Sequence, residues 1–215
     1  KYSNNLEFYN IIRNSSTNIH AKRQRKISSL INFNKKTSFK VNKINFETNI
    51  YNQIFNTEDK KIENNYISGN YFRTFPIFGI EASTPFKIKN IKNNLTYTPK
   101  LKMVVTPGIS NSNKISNEDS TNNDFSIENN YRLNRYSGND KLDNSKRVTY
   151  SISAYTDTFK SSLSQSYEFT DNSNFHKEQG NDDKLSDLLG SVEYLNDNEL
   201  SYEFRYDLND AYLKK

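Results

Sequence analysis

The chain has 215 residues and no cysteine, which excludes a disulfide framework, a thiolate metal site and a cysteine nucleophile. Only 33% of it is hydrophobic and its mean hydropathy is -0.95, yet 13% is aromatic, which argues against a chain disordered throughout. The net charge of +5 is not gathered into the stripe a nucleic-acid binder would carry, and the one dense run, Lys22-Arg23-Gln24-Arg25-Lys26, reads as a solvated loop edge.

In chain order, Lys1-Tyr2-Ser3-Asn4-Asn5 leads straight into period-two alternation without a signal-peptide pattern. Strands are predicted at 3–13, 24–34, 43–56, 68–86, 94–106, 146–157, 159–170, 186–195 and 198–208. Ile44, Phe46, Ile50 and Ile54 share one parity, and Leu95, Tyr97, Pro99, Leu101, Met103 and Val105 share another. Val148, Tyr150, Ile152 and Ala154 oppose Arg147, Thr149, Ser151 and Ser153. Leu163, Tyr167 and Phe169 oppose Ser162, Ser164, Ser166 and Glu168. The cleanest case sets Leu200, Tyr202, Phe204, Tyr206 and Leu208 against Ser201, Glu203, Arg205 and Asp207. No apolar run approaches the roughly 20 residues of a transmembrane helix. Asp210–Lys215 stops without a closing feature, so the expectation is an internal fragment of a longer protein.

The connections carry as much information as the strands. They alternate between long (14–23, 57–67, 107–145, 171–185) and short (35–42, 87–93, 157–158, 196–197). Outer-membrane barrels have such an arrangement, with small periplasmic turns at one rim and large loops at the other. The expected fold class is therefore all-β, a section of a large antiparallel transmembrane β-barrel with about nine strands, an open sheet when isolated. Residues 1–215 are read as one partial barrel domain with a long loop at 107–145. A soluble β-sandwich has no reason to keep this order of connections. Phe33, Phe86, Tyr97, Tyr155, Phe159, Tyr194 and Tyr202 lie beside the short turns, as an interfacial girdle would. On this reading Arg147, Thr149, Ser151, Ser153, Ser162, Ser164, Ser166, Glu168, Ser201, Glu203, Arg205 and Asp207 line the lumen, a wall of hydroxyls and mixed charge.

No catalytic constellation is found. His20 and His176 lie far apart in polar loops, the three serines 162, 164 and 166 have no histidine near in sequence, and there is no glycine-rich phosphate loop. Glu178, Asp182 and Asp183 are read as solvated loop charge. No cofactor is expected.

The longest connection holds the most specific pattern. Asn134-Arg135-Tyr136-Ser137-Gly138-Asn139-Asp140-Lys141 gathers two cations, a carboxylate, a ring and a glycine. Arg135 is suited to a bidentate pair with Asp140 or Asp119, and Gly138 to a turn of positive φ. The stretch resembles the lipopolysaccharide-assembly family LptD (also OstA). Asn117-Glu118-Asp119-Ser120 matches its PNEDS element, with Ser116 in place of Pro. Residues 134–141 match its NRFSGxDR element, with Tyr136 for Phe and Lys141 for Arg. After the strand Arg147–Tyr150, Leu163-Ser164-Gln165-Ser166-Tyr167 matches its LGQSY strand, with Ser164 for Gly. The resemblance is clearest over residues 73–207.

It implies an outer-membrane translocon that places lipopolysaccharide in the outer leaflet and makes or breaks no bond. It further implies a lipoprotein plug (LptE-like) inside the barrel, a periplasmic bridge protein (LptA-like), a membrane setting and no nucleic acid. The motif residues Asn117, Glu118, Asp119, Ser120, Asn134, Arg135, Gly138, Asp140 and Gln165 are carried over as loop and structural positions. Residues 117–140 are expected to fold into the lumen. The alternatives are another outer-membrane barrel, such as a porin or receptor, and a soluble β-sandwich adhesin or binding module.

Overall fold

Apolar parity decides which way each strand faces, and the pairing keeps like parities together. The computed structural model describes residues 1–88, 94–109, 111–122, 125–170, 175, 180–181, 183–194, 200–208 and 211–213. Its strands are β1 (Tyr2–Ile12), β2 (Arg23–Phe39), β3 (Asn42–Ile62), β4 (Asn65–Ser83), β5 (Phe86–Lys87), β6 (Thr96–Val105), β7 (Lys146–Tyr155), β8 (Phe159–Glu168), β9 (Leu188–Tyr194), β10 (Leu200–Asp207) and β11 (Tyr212–Leu213). They form one open, 11-stranded sheet in chain order, with β5 paired beside β6. Every pairing is antiparallel. The all-β barrel-section fold read from the alternation is the fold observed.

One face is apolar and open. Phe8, Ile27, Ile54 and Phe72 stand in register across β1–β4, and all four are exposed. Ile152, Leu163, Gly190 and Phe204 form a second row across β7–β10. Glycine is needed in that row because a Cβ on Gly190 would come within 2.0 Å of the Phe204 ring. Several strands exceed the roughly 9–11 residues that cross a bilayer at a tilt. No helix among the described residues is long and apolar enough to cross a membrane.

The opposite face is covered by the long connection between β6 and β7. Tyr51, Phe75, Ile77 and Val104 on the sheet bury against Leu133 and Leu142 of that connection. The expected wet inner wall thus carries an apolar patch on β3, β4 and β6, beside buried polar side chains such as Gln53, Arg73 and Lys102.

Four further expectations are corrected. The connection expected at 57–67 is two strands meeting in a tight turn at Glu63-Asn64, Glu63 having φ 53°. A bulge between Thr57 and Lys60, with Asp59 at φ 52°, shifts the phase there and hides the strand's continuation from a period-two reading. The strand expected at 68–86 is split, because Pro85 has no N–H to give the ladder and β5 pairs separately with β6. Tyr155 lies opposite Thr96, on the covered face, and so leaves the girdle, while Phe86 and Tyr97 stack on the open face at 5.0 Å. A four-residue helix, α1 (Ile127–Asn130), capped by Ser126, forms inside the long loop where only turns were expected. The short turns expected at 87–93 and 196–197 lie largely outside the described residues.

Candidate functional site

Asn-, Asp- and Ser-rich loops satisfy their backbone through side chains, and the long loop does so reciprocally. Asp119 accepts hydrogen bonds from the backbone N–H groups of Asn139 and Asp140 at 3.1 and 2.8 Å. Asp140 accepts from those of Glu118 and Asp119 at 2.7 and 3.2 Å. Ser120 Oγ accepts from Asp140 and Lys141 N–H at 2.8 and 2.9 Å. Asn117 closes its own turn on Ser120, donating to its carbonyl and accepting from its N–H. Asn134 accepts from the Asp143 N–H at 3.0 Å and donates to the Gly138 carbonyl. Gly138 has φ 69°, and a Cβ there would lie 2.3 Å from the Asp119 carbonyl oxygen. The two motif segments, 22 residues apart at Glu118 and Asp140, therefore close into one clasp.

The clasp is bolted to the first strands. Lys26 on β2, with a side chain 0% exposed, donates to Asp119 and Asp140 at 2.9 Å each and lies 3.3 Å from Glu7 on β1. Tyr9 Oη donates to Asp140 at 2.9 Å. Arg73 on β4 donates to the carbonyls of Asn139 and Asp140 at 2.9 Å each and to Gln53 on β3. Glu118 is held by Arg13 and Ser116, with His20 at 3.5 Å. Burial works to raise the Asp119 carboxyl, but hydrogen bonds and charge from Lys26 outweigh it and hold the group below its ordinary value. Asp140 is pushed up, by burial and then by the Asp119 charge, against the pull of Lys26.

The other half of the loop is fixed to the later strands. Arg135, buried, pairs with Asp143 at 2.6 Å and with Glu168 on β8 at 3.2 Å. It does not pair with Asp119 or Asp140, as the sequence suggested. Those carboxylates are occupied by Lys26 and the loop's own N–H groups, whereas Asp143 and Glu168 would otherwise be buried carboxylates. Burial works against the Arg135 charge, and Asp143 with Glu168 outweighs it, so its pKa is raised. Arg147 shares Asp143 at 3.0 Å and donates to the Arg132 carbonyl. Tyr131 donates to Ser151 Oγ at 2.7 Å, and burial pushes its own hydroxyl up to about 12. Phe175, from the connection after β8, stacks on Tyr136 at 5.1 Å and lies 4.7 Å from the Arg135 guanidinium.

Register sets the twelve residues expected at the lumen on this loop-bearing face. Arg147, Thr149, Ser151 and Ser153 face Glu168, Ser166, Ser164 and Ser162. Ser191 then links Ser162 to Glu203, Leu189 links Ser164 to Arg205, and Ser201 faces Glu193. Arg147, Thr149, Ser164, Ser166 and Glu168 are buried beneath the loop, Asp207 is buried at the end of β10, and Ser201 and Glu203 are exposed. Gln165 is on the opposite face, where it accepts from Tyr150 Oη at 2.6 Å and donates to the Ser186 carbonyl at 2.8 Å.

Lys26, Tyr9, Arg73, Gln53, Asp143 and Phe175 belong to the site and were missed. Lys26 belongs to the basic run that reads as a solvated edge, yet Gln24, Lys26 and Ser28 share one strand parity, and all three are buried. That parity was the available signal. His176, Glu178 and Asp182 lie outside the described residues; Asp183 is exposed. No group of three or more metal-ligating side chains is found among the described residues.

An open antiparallel sheet with an apolar outer face, and a loop clasped across its inner face, defines a section of a transmembrane β-barrel. The family model for LPS transport system D, LptD, matches residues 2–213, and the chain belongs to that family. The family is one of outer-membrane proteins that transport lipopolysaccharide. A search of the curated proteins finds no match.

Proposed function

We propose that this chain forms part of the barrel wall of the translocon that assembles lipopolysaccharide into the outer leaflet of a bacterial outer membrane. Its two open sheet edges would pair with further strands of the same barrel, and its 106–145 loop would fill part of the lumen. The lipoprotein plug and periplasmic bridge protein of the family would be its partners, and no bond would be made or broken by it. The observation that carries this reading is the division of the sheet into an exposed apolar face and a polar face clasped by the loop, within a family match over residues 2–213.

Photocrosslinking side chains placed in cells test it. Ser153 and Ser162, hydrogen-bonded to each other at 2.9 Å on the inner face, are expected to give lipopolysaccharide adducts that vanish when delivery is stopped. Ile152 and Leu163, their neighbours on the outer face, are expected to give phospholipid adducts instead. Lipopolysaccharide adducts at the outer pair and none at the inner pair would overturn the reading.

A further inference from the structure

The clasp consumes nearly every charge it brings together, and two cations beside it are the exception. A cavity of about 340 Å³ opens between the far end of β3, the β1–β2 connection and the first part of the long loop. Lys60 and Lys141 line it, together with Asn18, Ser112, Asn117 and Tyr136. Lys60 is 4% exposed and donates to the backbone carbonyls of Asn113 and, at 2.7 Å, Ile115. Among the described residues the Lys141 ammonium reaches the Tyr136 ring, 5.9 Å from its centroid. Neither ammonium forms an ion pair among the described residues. The one acid in the lining, Asp140, already accepts from Lys26, Tyr9 and two backbone N–H groups.

The cavity thus offers two positive charges without an ion-pair partner among the described residues, amide and hydroxyl groups and an aromatic wall, at the rim that carries the long loops. A neutral sugar would use the amides and the ring but leave both charges unanswered. A phosphate group, carrying about −1.5 to −2, answers both, and lysines bind it well as point charges. We propose that this cavity binds a phosphate group through Lys60 and Lys141, free or carried on a sugar. The proposal rests on the transport reading only for the sugar as a source, since the cavity's charge stands by itself.

The test is calorimetric titration of the detergent-purified protein with inorganic phosphate, glucose 6-phosphate and glucose. Both phosphates are expected to bind and glucose not. Tighter binding of glucose 6-phosphate assigns the site to a phosphorylated sugar; equal binding assigns it to phosphate alone. Lys141→Gln is expected to weaken phosphate binding about tenfold, because half the facing charge is lost. Lys60→Gln should do the same, and Lys114→Gln, exposed in the same loop, should leave binding unchanged. If Lys60→Gln does not fold, Lys141→Gln decides alone, since its side chain makes one peripheral ring contact. Glucose binding as well as its phosphate, or no effect of Lys141→Gln, overturns the proposal. Neither result touches the crosslinking test of transport.

Discussion

Arg135 gives up its water to lie beneath the loop, and the ion pairs with Asp143 and Glu168 offset that loss. Removing it takes the paired cation from two buried carboxylates, and Arg135→Ala is expected to cost about 3–5 kcal/mol. Chemical denaturation in detergent measures this, with Lys114→Ala near neutral as control. Lys at 135 keeps the charge but loses the fork that reaches both acids, so Arg135→Lys should fall between. Gly138→Ala meets two obstacles, a positive φ that costs about 1 kcal/mol in itself and a backbone oxygen at 2.3 Å. It should expose the 117–140 segment to limited proteolysis. Asp119 sits below its ordinary value of 3.8, so it stabilises the clasp above that pH, and the contribution is lost as pH falls through its folded value. Asp140, shifted upward, acts oppositely, favouring the folded clasp in acid and losing that contribution as pH rises through its folded value. Asp119→Asn should therefore remove a loss of stability that the parent shows as the pH falls below about 4.

At the scale of the strand, the faces fix what can be substituted. Ile152 and Phe204 belong to the open apolar row, so an arginine at either should cost about 2–4 kcal/mol near the bilayer midplane, read as folding yield into vesicles. Ser201, exposed on the inner face, should accept arginine with little loss. Ser151 looks equivalent in sequence, but it supports Tyr131, so Ser151→Arg should dislodge α1 and be as harmful as the outer-face changes. Equal yields for Phe204→Arg and Ser201→Arg would contradict the assignment of faces.

Across the whole molecule, the loop ties strands that are distant in the sheet. Lys26 and Tyr9 hold it to β1–β2, Arg73 to β4, and Glu168 and Arg147 to β7–β8. A span of seven strands braced in this way has its curvature fixed from within. The same arrangement orients the barrel. Tags near Asn64 and Lys114, at the rim of the long loops, are expected to be labelled on intact cells. Tags near Lys40 and Asp157, at the tight turns opposite, are not. Labelling at the second pair alone would invert the topology.

The sequence by itself determined the sheet, because alternation is local: each strand's own parities say which side can meet lipid, and neighbours in chain order are neighbours in space. It also marked the two loop segments, through residue types that favour turns and charge pairing. It did not determine who pairs with whom. Asp119 and Asp140 were available to Arg135 by sequence, but folding brought Lys26 from a distant strand, and the nearer cation lost the competition. Nor could alternation show that Tyr51, Phe75, Ile77 and Val104 lie on the inner side as a core, since an apolar residue on the polar parity looks like an exception until Leu133 and Leu142 arrive to cover it. Burial and charge pairing are properties of assembled surfaces, and only the tertiary structure brings those surfaces together.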